Sequence, residues 1–373
     1  MTRRITTGQR KHRSPLPWLA LIAFIAGSVI LGFGWLADWF DTRRDTASDF
    51  TDAIEASAGK HPGFRRAHSK GVCVSGWFQG SPQGHALSIA PMFDGQKVPV
   101  LGRLSIGGAD PHGADASARV RSMALQLTSA DGQQWRMAMN SFPFFAVPTV
   151  DAFLAQTRAQ APDPATGKPD PEKMKAFVAA NPSAQRFQRW AQQEPWSTSW
   201  ANTVYNGVNA FVFHAVDGST RAVRWHMQPQ APFEEMSAEQ RAQADTDYLY
   251  EELRQRLQQG PLRWAMQVTV AGDGDDAADP STPWPDSRPQ VMAGTLELVS
   301  AEPQAEGACR DINFDPLVLP KGVTGSDDPI LAARSAVYSV SFNRRQQEIA
   351  AGRAPEATSK EGGNGAMGEE SRR

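Results

Sequence analysis

Hydrophobic and polar positions follow different periods along this chain. From Arg13 to Asp38 there is no charged residue between the two ends, and the apolar run Trp18-Leu19-Ala20-Leu21-Ile22-Ala23-Phe24-Ile25-Ala26 continues through Val29-Ile30-Leu31 to Trp35-Leu36. About 20 apolar residues at ~1.5 Å rise span a ~30 Å hydrocarbon layer, so one N-terminal transmembrane helix is predicted over residues 14–37. The charged stretch from Asp38 to Gly59 is predicted to be a helical stalk or arm. From Gly71 to about Phe145 the pattern changes to short apolar runs split by Gly, Pro and Asp. Val72-Cys73-Val74, Ala86-Leu87-Ser88-Ile89, Val98 to Leu104 and Trp135 to Met139 read as antiparallel strands of a barrel or strongly curved sheet. Residues 150–195 read as helix, interrupted by a Pro-rich loop. Strands resume at Ala210 to Val216, Arg221 to His226 and Trp264 to Val270, with a helix from an N-cap at Ser237 through Leu257. Asp328-Pro329 opens a last helix, with Pro in the first turn where its missing N–H costs nothing. After Gly352 the chain is Gly/Ser/Glu/Lys-rich and is predicted disordered.

Composition narrows the function classes. The 373 residues carry a formal net charge of −2, so no nucleic-acid partner is implied. Seven His and two Cys exclude a Cys-rich zinc module. The acidic run Asp273-Gly274-Asp275-Asp276 lacks the EF-hand ligand pattern and reads as a solvated loop. Cys73 and Cys309 either pair, if the domain is exported, or stay buried as free thiols. Arg3, Arg4, Arg10, Lys11 and Arg13 before the apolar run keep the N-terminus cytoplasmic. The expected localisation is therefore a bacterial-type inner membrane, single-pass, with the rest facing the periplasm; a cleaved signal peptide is the competing reading.

Candidate chemistry comes from two distant motifs, Arg65-Arg66-Ala67-His68-Ser69-Lys70-Gly71 and Arg334-Ser335-Ala336-Val337-Tyr338. On a helix Arg334 and Tyr338 share a face, and a guanidinium beside a phenol favours the tyrosinate. Between them lie Arg103-Leu104-Ser105-Ile106-Gly107-Gly108-Ala109-Asp110-Pro111, Arg121-Ser122-Met123-Ala124 and Asn140-Ser141-Phe142-Pro143-Phe144-Phe145. Tyr205-Asn206-Gly207-Val208-Asn209-Ala210-Phe211, Arg224-Trp225-His226-Met227-Gln228-Pro229 and Arg345 complete the series. In this order the series resembles the catalase superfamily, over most of the chain beyond the apolar run.

The resemblance implies an α+β fold, a catalase-like antiparallel β-barrel with surrounding helices, and haem b as cofactor. It implies Tyr338 as axial ligand of the haem iron, Arg334 as its tuner, and Arg65, Arg103 and Arg345 as partners of the haem propionates. His68 would be the distal acid–base group, Ser105 would hydrogen-bond it, Asn140 would orient peroxide, and Phe153 would give the haem an apolar contact. Arg66 has no counterpart. Because only a polar tail follows Arg345, the chain resembles the short catalase-related peroxidases more than large catalases. Peroxide would then be the substrate, with an unidentified electron donor and weak dismutation. A homo-oligomer is left open. The expected organisation is a basic N-terminus (1–13), an anchor in the inner membrane (14–37), a stalk (38–59), a haem domain (60–351) and a tail (352–373). Two rivals stand beside it. A hydroperoxide isomerase on the same fold carries a hydroxyl residue before the distal His, where Ala67 stands here. A non-enzymatic envelope haem-binding protein would need no acid–base group.

Overall fold

Alternation along the strands decides which side of the sheet is dry. The computed structural model describes residues 24–29, 46–163 and 166–353. Ten antiparallel strands are present among them: β1 Gly71–Gly80, β2 Lys97–Ile106, β3 Arg121–Thr128, β4 Gln134–Asn140, β5 Tyr205–Asn206, β6 Phe211–His214, β7 Thr220–Pro229, β8 Leu262–Val270, β9 Gln290–Pro303 and β10 Val323–Gly325. The order β7-β5-β4-β3-β2-β1-β9-β8 returns to β7 through the β7–β8 ladder, closing an eight-stranded barrel; β6 and β10 extend it. Closure removes the exposed edges an open sheet would present.

The barrel interior holds the main core. Leu104, Met123, Leu125, Leu127, Met139 and Trp135 are buried from successive strands. Trp135 meets Phe93 and Trp225 edge-on at centroid distances of 5.6 and 5.4 Å. Each such side chain contributes about 1.5–3 kcal/mol by leaving water. Gly76 sits at a bulge between β1 and β9, where a Cβ would fall 1.9 Å from the Glu297 carbonyl oxygen.

Helices cover the outer face. Those at Val150–Ala159, Pro171–Ala180 and Pro182–Gln193 match the helical region expected from 150 to 195. The long helix Pro329–Ala350 starts from Asp328, whose Oδ1 accepts from the Ile330 N–H at 2.8 Å, with Pro329 in its first turn.

Several local expectations change. The apolar run at Ala86 to Ile89 is not a strand: Pro82–Leu87 is a short helix capped by Ser81. Four apolar residues are too few for periodicity to separate the two states. The helix after Ser237 has the expected cap, but it stops at Gln243 and a second helix runs from Tyr248 to Gln259. The stalk expectation covers Ala47–Ala58, which instead packs on Val150–Ala159 and Pro329–Ala350 as part of the compact unit beginning at Ala47. Phe50 and Thr51 are buried there. Arg66, without a role in the sequence reading, explains the docking: it bonds Glu55 of this helix at 2.7 Å and Glu348 of the long helix at 2.5 and 2.9 Å. Cys73 and Cys309 form a disulfide, Cα to Cα 5.4 Å. Asp275 pairs with Arg288 at 2.7 Å.

The predicted transmembrane segment and the tail lie almost wholly outside the described residues. Only residues 24–29, which are helical, are described within 14–37. No helix among the described residues is long and apolar enough to cross a membrane.

Candidate active site

Strand register builds one wall of the site. Ser105 of β2 pairs across to Ser122 of β3, and Ser122 pairs to Asn140 of β4. Cross-strand partners share a face, so these three polar side chains form a row on the outer side, while their neighbours Leu104, Met123 and Met139 point into the core. The row lines a cavity of about 440 Å³ between the barrel wall and the helices, within the usual range of ~300–1,000 Å³ for ligand sites.

His68 precedes β1 and faces the same cavity. Its φ is +54°, in the left-handed region that favours glycine. The turn is held because the Ser69 N–H donates to the Gly108 carbonyl at 3.1 Å and the Ser69 hydroxyl donates to the Arg65 carbonyl. Ser122 Oγ lies 3.0 Å from His68 Nδ1 and donates its hydrogen to Asn140 Oδ1 at 2.6 Å. With its one hydrogen spent on Asn140, Ser122 can only accept from the imidazole. That assigns the proton to Nδ1 and leaves the Nε2 lone pair free. Asn140, whose oxygen is used, keeps its N–H₂ donors for a ligand. Burial, then the nearby Arg103 and Arg334 charges, push the His68 pKa down from 6.5 to about 4, so the imidazole is neutral at physiological pH.

The hydrogen-bond role expected of Ser105 falls to Ser122. Ser105 also lines the cavity, but the register places Ser122 in the middle of the row, between Ser105 and Asn140, and there it reaches both Asn140 and the imidazole.

The long helix forms the opposing wall, contributing Arg334, Val337, Tyr338 and Arg345 to the cavity. The Arg334 guanidinium carbon lies 6.0 Å from the centre of the Tyr338 ring. Arg334 donates to Asn209 Oδ1 and, at 2.8 Å, to the Ala138 carbonyl; Asn209 in turn donates to Asp328 Oδ2 at 2.6 Å. Asn209 and Ser122 stand inside the sequence motifs, which assign neither of them a role. The signal for Ser122 was its strand alternation with Met123; its partners needed the register. Phe153 lines the apolar end, 5.2 Å from Phe145 and 5.4 Å from Phe50 by ring centres.

Arg65, Arg103 and Arg345 converge at one side of the cavity. Arg65 Nη2 donates to the carbonyls of Cys309 and Ile312 at 3.2 and 2.8 Å. Arg103 donates to Gln304 Oε1 and to the Ser69 carbonyl. Arg345 Nη1 donates to the Arg310 carbonyl at 2.7 Å. Burial, then the Arg345 charge, pull Arg103 down to about 9. Burial, followed by Arg103 and Arg345, pulls Arg65 well below its ordinary value. Buried like charges are costly unless paired, and Arg65 Nη1 and Arg345 Nε have no hydrogen-bond partner among the described residues. The cluster therefore calls for an anionic ligand beside an apolar body. Haem fits, with two propionates for the arginines, a flat ring for the apolar cavity and an iron for Tyr338.

Fold and site together define a barrel protein with an apolar cavity flanked by three arginines, a neutral histidine and a tyrosine. The chain belongs to the catalase family, whose pattern matches residues 52–358. It is 35% identical over 332 residues to a catalase-related peroxidase of Synechococcus elongatus, covering 89% of this chain and 98% of that one. A catalase-related peroxidase of Mycolicibacterium paratuberculosis is 34% identical over 303 residues, covering 80% and 95%. Among solved structures, a fungal catalase superposes with a TM-score of 0.69 at 20% identity, and catalase A of Saccharomyces cerevisiae with 0.68 at 18%. This chain covers 77% of itself in both but only 60% and 62% of those longer chains, so they show the fold.

Proposed function

We propose that this chain is a haem peroxidase that reduces hydrogen peroxide and organic hydroperoxides with electrons from an external donor, and dismutates hydrogen peroxide only weakly. The observation that carries the reading is the His68–Ser122–Asn140 chain on one wall of a cavity whose other wall holds Tyr338 and whose end holds Arg65, Arg103 and Arg345. Haem, which Tyr338 and the three arginines would hold there, would supply the redox chemistry for cleaving the peroxide O–O bond. His68 Nε2 takes a proton from the inner peroxide oxygen and returns it to the leaving oxygen, which departs as water or alcohol. The Asn140 N–H₂ group holds the peroxide in line. Ser122 fixes the tautomer throughout. Arg334 stacks over the Tyr338 ring, its guanidinium carbon 6.0 Å from the ring centre, and holds the phenol in place. Arg65, Arg103 and Arg345 bind the propionates.

Two further features support finer parts of the reading. Both cysteines are in the disulfide, so neither is available for thioether attachment, which favours haem b. A disulfide also favours an oxidising compartment, in accord with an uncleaved anchor at 14–37 behind five basic residues and a periplasmic enzyme domain. The neutral base argues against a mere carrier, and Ala67 against the isomerase.

The test is full-length protein loaded with haem and mixed with tert-butyl hydroperoxide and a phenolic donor, beside His68→Ala. Removing the base lowers the rate by about 10²–10⁴-fold. Fully loaded protein that oxidises no donor with peroxide would overturn the proposal, and conversion of a fatty-acid hydroperoxide without a donor would favour the isomerase.

A further inference from the structure

The disulfide borders the arginine cluster. Cys73 is the cross-strand partner of Arg103 on the β1–β2 ladder, so the two side chains leave the sheet on the same side. Cys309 lies in the segment 304–314 that follows β9, and this segment serves all three arginines. Gln304 accepts from Arg103, the Cys309 and Ile312 carbonyls accept from Arg65, and the Arg310 carbonyl accepts from Arg345. The same segment gives Ile312, Asn313 and Phe314 to the cavity wall, with the Arg65 guanidinium 5.9 Å from the Phe314 ring centre.

Besides the three arginines, the segment is held by Arg136 of β4, which donates to the Asn313 carbonyl at 2.7 Å, and by Gln346, which donates to Asp311 Oδ1 at 3.3 Å. Cys73, Cys309 and Phe314 form a small apolar cluster with Ala124 and Ile312, apart from the barrel core. Segment 304–314 contains no strand, and its turns are local. The chain from Cys73 to Cys309 is 236 residues, so the bridge joins the barrel wall to a segment that the sequence leaves far away.

We infer that the Cys73–Cys309 disulfide, through the segment it anchors, positions Arg65, Arg103 and Arg345 and thereby sets how tightly the cofactor's carboxylates are held. The inference rests on the haem reading above. Without the bridge, the segment loosens from β1 and the guanidiniums lose the backbone acceptors that aim them. Cofactor affinity then depends on an oxidising surrounding. Reduction takes two electrons and two protons, delivered by a dithiol that leaves as its cyclic disulfide, and yields one thiol on each cysteine.

The experiment compares haem release from the full-length wild type and from Cys73→Ala/Cys309→Ala, using excess apomyoglobin as acceptor, with haem and with haem dimethyl ester. The ester keeps the ring and iron but has no carboxylates. Release of haem should be about 10- to 100-fold faster in the variant, the range for loss of charge-assisted hydrogen bonds. With the ester the two proteins should release at rates within about two-fold, because the arginines have nothing to hold. A disulfide that only stabilises the fold would speed both ligands alike, and that result overturns the inference, as does equal haem release. Should the double variant fail to fold, Gln304→Ala keeps the bridge but cuts the Arg103 tether. It should speed haem release several-fold and leave the ester unchanged; wild-type behaviour with both ligands would overturn the inference. Failure of the oxidised wild type to take up haem would instead overturn the haem reading.

Discussion

Acidification tests the state of His68 directly. Its pKa lies near 4 because burial, then Arg103 and Arg334, disfavour the imidazolium. At pH 5.5 a group of pKa 4 is about 97% neutral, whereas one of pKa 6.5 is about 9% neutral. The peroxide step should therefore stay level from pH 7 to about 5 and fall with a midpoint well below 6. The same shift bears on stability. The unfolded imidazole protonates near 6.5 and the folded one only near 4, so between these values the unfolded state binds more protons. Stability contributed by the neutral form is full above about 6.5 and is lost as pH falls toward 4, by about 3 kcal/mol. The assays are stopped-flow peroxide kinetics of the loaded enzyme, and urea unfolding of the apoprotein beside His68→Gln, each from pH 7.5 to 4. A peroxide rate that halves near pH 6.5, or a wild-type-minus-variant stability difference that is flat across the range, would refute the reasoning.

Other perturbations separate the remaining groups. Ser122→Ala should slow the peroxide step about ten-fold, the value of one hydrogen bond of ~1–1.5 kcal/mol, while Ser105→Ala stays within about two-fold; the reverse order in the same kinetics would reject the tautomer assignment. Tyr338→Phe should remove the tyrosinate-to-iron charge-transfer absorption of the loaded protein, and an unchanged spectrum would exclude Tyr338 as ligand. Arg66→Met leaves Glu348 buried without its cation and should cost about 3–5 kcal/mol in urea unfolding; a loss under 1 kcal/mol would show that the pairs with Glu55 and Glu348 do not dock the helix Ala47–Ala58.

Local pattern carried most of the barrel and stopped where pairing is non-local. Trp135 to Met139 and Val98 to Leu104 alternate clearly enough to read as strands, and β2 and β4 include them. Closure of the barrel by β7 on β8 has no local signal, since it depends on twist accumulated around eight strands. The site was legible as a series of motifs, and the structure brings His68, Asn140, Arg334, Tyr338, Arg65, Arg103, Arg345, Ser105 and Phe153 to one cavity. Ser122 escaped because its role depends on the β2–β3–β4 register, which no spacing within the chain specifies. The helix Ala47–Ala58 escaped for a different reason. Its charges read as solvated, yet Asp52 and Glu55 are there to meet Arg344 and Arg66 from elsewhere in the chain.

The alternation that builds the barrel also separates its two duties. Along β2 to β4, Leu104, Met123 and Met139 face inward, and Ser105, Ser122 and Asn140 face the cavity one residue away. A slip of one residue would exchange the faces, driving the polar row into the core. The dry interior thus fixes the geometry of the polar row: register is enforced by the energy of burying Met123 and its neighbours, not by the hydrogen bonds of Ser122. His68 is the exception, since it precedes β1 and sits at positive φ. A strained residue of this kind costs on the order of 1–3 kcal/mol and persists only where its surroundings over-determine it. Here the determinants are the Ser69 bonds to Gly108 and Arg65, the Ser122 bond to the ring, and the arginine cluster beside it. The depressed pKa has a different origin, the burial of the imidazole followed by the Arg103 and Arg334 charges, so the backbone strain and the pKa can be perturbed separately.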